Sequence, residues 1–104
     1  MRTFTRVGLA AGAALAFALV PAGEAMAAQG VFSYQNVYGD ELELGDPDNG
    51  ECYLLVGGME WAFNDTDALA FVYEDHGCEG PAFMMFPGGV SSYPDPVPHS
   101  VMFR

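Results

Sequence analysis

After residue 27 the chain never sustains a helical apolar period for more than two turns. Instead, short runs of β-branched and aromatic residues are cut every few positions by clusters of Gly, Pro, Asp and Asn. That punctuation leaves no room for a helix and predicts an all-β fold. The expected strands are Val31–Tyr38, the alternating Leu42-Glu43-Leu44, Glu51–Val56, Ala68–Tyr73, Pro81–Phe86 and Ser100–Phe103. Strict alternation puts Phe32 and Tyr34 on one side of the first strand, and Cys52, Leu54 and Val56 on one face of the third. Between them, Gly45-Asp46-Pro47-Asp48-Asn49-Gly50 is a turn cluster. Met59–Thr66 reads as loop, and Pro87–His99, with Pro87, Pro94, Pro96, Pro98 and Gly88-Gly89, reads as an ordered irregular loop. Seven or so short strands in one small domain imply a sandwich.

The first 27 residues belong to a different class. Arg2 and Arg6 precede an apolar run from Val7 to Val20, Pro21 interrupts it, and Ala25-Met26-Ala27 has the small-x-small pattern of a signal-peptidase site. Cleavage is expected before Ala28. The 14-residue run is shorter than the roughly 18 apolar residues a membrane span needs. No cysteine follows the cleavage site to carry a lipid, and the two arginines are not a twin pair. The expected product is a secreted domain, residues 28–104, that does not stay in the membrane.

That product has 77 residues, one Arg, no Lys and thirteen acids, a net charge of −12 with neutral His, against −11 for the whole chain. Clustered cations for nucleic acid or an anionic membrane are missing, so both partner classes are excluded by charge. The excess acid serves solubility, attraction to a cationic partner, or divalent cations. A core this small is marginal without a staple. Cys52 and Cys78 are the only cysteines, and an exported chain permits their disulfide. The competing readings are a metal site or a catalytic thiol, but no further ligands stand at zinc spacing around them.

Tyr73-Glu74-Asp75-His76-Gly77-Cys78-Glu79-Gly80 resembles the signature hairpin of the βγ-crystallin fold. In that family an aromatic is followed, after four residues, by a second core residue and, two later, by glycine; Tyr73, Cys78 and Gly80 stand at those positions. Cys78 takes a place where the family usually has an aromatic. The resemblance continues in Asp95-Pro96-Val97-Pro98-His99-Ser100 before Val101-Met102-Phe103, where Asp95 and Ser100 match and Pro96 and His99 do not. It implies a small Greek-key β-sandwich in which Ser100 fastens the folded hairpin. The replaced positions remove calcium ligands from that loop. In the earlier equivalent, Phe63 to Leu69, Asn64 and Asp65 match and Ala68 and Leu69 do not, so Asn64, Asp65 and Asp67 are the weak calcium candidates. Exported bacterial proteins that look like this include small proteinase inhibitors and killer-toxin-like proteins built on a single βγ-crystallin domain, a functional implication by analogy.

Reactive constellations are thin. His76 beside Asp75, with Ser33, Ser91, Ser92 and Ser100 elsewhere, lacks a nucleophile elbow, and adjacent turn residues point different ways. Asp46 and Asp48 are a pair that thirteen acids produce by chance. Asp46–Glu51 has its glycine one place early for a calcium loop and no glutamate at position 57. Asn64-Asp65-Thr66 matches the glycosylation sequon. Trp61, with Met59 and Phe63, is either a core plug or an exposed anchor for a protein partner. The expected function is therefore a monomeric, non-enzymatic binding protein without a cofactor, an inhibitor of an extracellular peptidase or a related antagonistic factor. It would act through a rigid loop at Gly57–Asn64 or Pro87–His99. The alternative is a calcium-dependent structural or stress protein.

Overall fold

A computed structural model describes residues 26–104. The leader read over residues 1–27 therefore lies outside the described residues, apart from Met26 and Ala27. The Met26 carbonyl accepts the N–H of Asn49 at 2.8 Å, and Ala27 bridges Asp48.

Among the described residues there are eight strands: β1 (Gly30–Gln35), β2 (Glu41–Gly45), β3 (Cys52–Leu54), β4 (Trp61–Thr66), β5 (Ala70–Tyr73), β6 (Ala82–Met85), β7 (Val90–Ser92) and β8 (Ser100–Phe103). They build two antiparallel four-stranded sheets, ordered β2-β1-β4-β7 and β3-β8-β5-β6. Each half of the chain places its first, second and fourth strands in one sheet and sends its third to the other. Neither half can therefore complete its sheet alone.

Period-two alternation turns one face of each sheet inward. Phe32 and Tyr34 of β1, Ala62 of β4, Val72 of β5, Met85 of β6 and Val101 and Phe103 of β8 meet in one core with Leu55 and Met59. Phe32 from one sheet and Phe103 from the other contact edge-on at 5.3 Å, a geometry that contributes about 0.5–1.5 kcal/mol beyond area burial. The all-β class and the two-sheet packing expected from the sequence are both present, as is the disulfide between Cys52 and Cys78, with Cα atoms 6.0 Å apart.

Several expected boundaries need correction. Trp61–Thr66 is not a loop but an interior strand, paired on both sides with β1 and β7. Its inward residues are Ala62, Asn64 and Thr66, so two polar side chains break the apolar alternation that would have marked it. The proline-rich segment contains β7, because Pro87 and Pro94 flank Val90–Ser92 and leave its N–H groups intact. The first strand stops at Gln35, not Tyr38. Buried Asn36 takes over there, its Oδ1 accepting the N–H groups of Tyr38 and Asp40 at 3.0 and 2.9 Å. Cys52, Leu54 and Val56 do share a face, but it is the outer one; Tyr53 and Leu55 turn inward.

Candidate functional site

The folded hairpin that follows β5 is tied by side-chain hydrogen bonds and by the disulfide. Tyr73 ends β5 with its side chain buried. Asp75 Oδ2 accepts the N–H of Gly77 at 2.6 Å, and the chain then passes through Cys78 at φ +60°. The Cys78 N–H donates to Ser100 Oγ at 2.9 Å, and that hydroxyl donates to the Asp75 carbonyl. Gly80 has φ +84° with open space where a Cβ would be, so glycine is required by the backbone and not by crowding.

The hairpin also carries an imidazole stack that the sequence did not announce. The His76 and His99 rings lie 4.3 Å apart at 24°, and His99 Nδ1 is 3.0 Å from the Glu74 carbonyl. They border an open cleft of about 450 Å³ that also touches Tyr38, Leu54 and Asp95. Ser100 and Asp75 have partners other than a hydrolytic set: the Ser100 proton goes to a main-chain carbonyl and the Asp75 carboxylate caps Gly77. Ser91 bonds Tyr93, whose phenol burial pushes up above its ordinary pKa of 10.0, the hydroxyl of Ser91 partly opposing the shift.

The candidate partner-binding trio Met59, Trp61 and Phe63 does not stay together. Met59 is fully buried in the core and cannot reach a partner, because its position before β4 directs it between the sheets. Trp61 and Phe63 lie on the outer face of β4, half-buried, opposite Gln35 and Ser33 of β1. Trp61 Nε1–H donates to Gln35 Oε1 at 2.6 Å. Gly57–Asn64 is therefore not an insertion loop. Its exposed residues are Gly57 and Glu60, and from Trp61 onward it is locked in a sheet.

Of the calcium candidates, Asn64 is fully buried. Its amide donates to the carbonyls of Ala68 and Met85 at 2.9 and 3.1 Å, while its Oδ1 accepts the Thr66 hydroxyl at 2.7 Å. That burial also places it out of reach as a glycosylation acceptor. Asp65 is exposed, and Asp67 Oδ1 accepts the Gln29 N–H at 2.8 Å. The three side chains thus do not converge. Asp46 Oδ1 accepts the Gly30 N–H at 2.9 Å, an internal role for a turn carboxylate. Among the described residues, no group of three or more His, Cys, Asp or Glu is arranged to hold a metal ion.

Sequence reasoning missed an apolar surface. Phe83, Met84, Phe86 and Val90 are each about half or more exposed, along β6, the connection that follows it and the first residue of β7. Beside Phe83 opens a cleft of about 500 Å³ lined by Glu74, Asp75, His76, Glu79 and Pro81. The signal was the uninterrupted run Phe83-Met84-Met85-Phe86, since a strand with one wet face should alternate.

Among the described residues no helix is long and apolar enough to cross a membrane. Comparison with family models, curated proteins and solved structures found no match to the chain.

Proposed function

We propose that this chain is an exported, non-enzymatic binding protein of the βγ-crystallin type, directed at an extracellular protein, with a peptidase as the target class. The interleaved strand order and the hairpin tied to Ser100 support the Greek-key assignment. The disulfide suits an oxidising compartment.

One observation carries the binding role: the segment Tyr93–His99 is an exposed tip on a pinned base. Tyr93 N–H donates to the Glu60 carbonyl, and His99 N–H to that of Tyr73, both at 2.8 Å. Met59 and Leu55 N–H groups bond the carbonyls of Pro98 and His99 at 2.9 and 2.8 Å. Val97 and Pro98 are buried, and Pro94, Asp95 and Pro96 stand in solvent. A tip ordered before contact loses little entropy on binding, which is the physical basis of loop-insertion inhibitors. Oxidised protein incubated with secreted serine, metallo-, cysteine and aspartic endopeptidases should inhibit one class, and Asp95→Arg should abolish that inhibition. Cleavage of the protein by every class at undiminished enzyme rate would remove the peptidase as target.

A further inference from the structure

The geometry points to the free edge of β6 as a docking strand for an extended, cationic and apolar segment of the protein partner. This inference rests on the reading of the domain as a binding protein, though not on the partner being a peptidase.

Two sheets have four edges, and three of them are protected. β2 presents Glu41 and Glu43, and charge on an edge discourages pairing with another chain. β3 and β7 are only three residues long, too short to template much pairing. β6 differs on both counts. It is Ala82-Phe83-Met84-Met85, without a charge or a proline inside it, and among the described residues it pairs only with β5. Its first three residues are exposed. Phe83 leans on Tyr93 with ring centroids 5.9 Å apart, so the apolar surface runs on to the base of the exposed tip. Phe86 and Val90 extend it past the end of the strand.

A sheet edge recognises an extended chain through main-chain hydrogen bonds, while the flanking side chains select what that chain carries. Charge names the occupant here. The cleft that begins at Phe83 is walled by Glu74, Asp75 and Glu79. Among the described residues the sole Lys or Arg is Arg104, whose guanidinium sits 5.5 Å from the centre of the Phe71 ring. A second copy of the chain would bring the same acids to the same edge and be repelled. A strand alternating apolar residues with Lys or Arg meets both features, its apolar side chains on Met84 and Phe86 and its cations at the carboxylate cleft.

The test is a titration of oxidised, isotope-labelled protein with a short capped peptide of alternating valine and lysine, followed by amide chemical shifts. Shifts are expected at Ala82–Phe86 and Glu74–Glu79. Two controls should bind at least about tenfold more weakly: the peptide with glutamate for lysine, and the lysine peptide with alternate amides N-methylated. Met84→Lys and Phe86→Lys, checked for native spectra, should weaken the lysine peptide similarly; two exposed sites are used so that a folding defect in one leaves the other informative. Equal binding of either control, shifts confined to another face, no binding at all, or a dimer through β6 in sedimentation would each overturn the inference. No peptidase enters this titration, so its failure is separate from failure of the enzyme panel.

Discussion

The hydroxyl of Ser100 joins the start of β8 to the hairpin twenty-two residues earlier, accepting the N–H of Cys78 at 2.9 Å while donating to the carbonyl of Asp75. Ser100 is fully buried, so its hydroxyl makes both bonds shielded from competing water. Cys78 is held at this point through its main chain and, by the disulfide, through its side chain.

Ser100→Ala should therefore destabilise the domain by about 1–3 kcal/mol, with the Cys78 amide left without an acceptor. For a domain of this size each kcal/mol lowers Tm by roughly 4–8 °C. Thermal melting checks the magnitude, and hydrogen exchange should quicken at Cys78. A variant that melts with the native protein would show the pair of bonds to be energetically idle.

Reduction of the disulfide releases a loop with a sequence separation of 26. On the chain-entropy model this lowers stability by roughly 3–4 kcal/mol. Denaturant titrations of the native protein and of the Cys52→Ser/Cys78→Ser double variant should differ by that amount, and coincident midpoints would contradict it.

Asn64 separates a structural role from a cation-binding one. Asn64→Ala leaves the carbonyls of Ala68 and Met85 and the Thr66 hydroxyl short of partners, an expected loss of about 2–4 kcal/mol. Asn64→Asp should be worse, since a buried carboxylate cannot donate to two carbonyls. If added calcium restored the Asp variant to native stability, the residue would belong to a cation site instead.

Two glycines at positive φ should respond differently to alanine. At Gly30, φ +119°, a Cβ would lie 2.2 Å from the Asp65 carbonyl oxygen, part of the neighbouring strand that cannot move aside. At Gly80, φ +84°, it would meet nothing within 4 Å. Gly80→Ala should therefore cost about 1–2 kcal/mol from the backbone alone, and Gly30→Ala at least about 3. Equal chemical-denaturation midpoints for the two variants would refute the distinction.

Tyr93 predicts an alkaline limit to stability. Burial raises its phenol above the ordinary 10.0, so the unfolded chain loses that proton first as pH rises. The contribution is fully present below pH 10 and disappears as pH climbs through the folded value. The stability difference between the native protein and Tyr93→Phe should thus be constant below pH 10 and shift in favour of the phenylalanine variant above it. Parallel curves across that range would exclude the effect.

The strands that were legible are those whose inward positions are apolar. Phe32 and Tyr34 mark β1, and Val101 and Phe103 mark β8, without any knowledge of their neighbours. β4 was hidden because Asn64 and Thr66 occupy inward positions, and their polarity is tolerable only through carbonyls that the fold brings to them. β7 was hidden by the prolines around it. Met59 and Trp61 show the same limit for the candidate site: they are two residues apart, yet one enters the core and the other faces outward.

By itself the sequence determined the all-β class, the single intramolecular disulfide available and the acidic character of the surface. These follow from local alternation, turn chemistry and the count of cysteines and charges. Only the tertiary structure decided which sheet each strand joins, that Asn64 is buried, and that the apolar run after Pro81 lies on a free edge. The reason is that a side chain's periodicity is set by its own backbone, while its burial and its partners are set by strands far away in the chain.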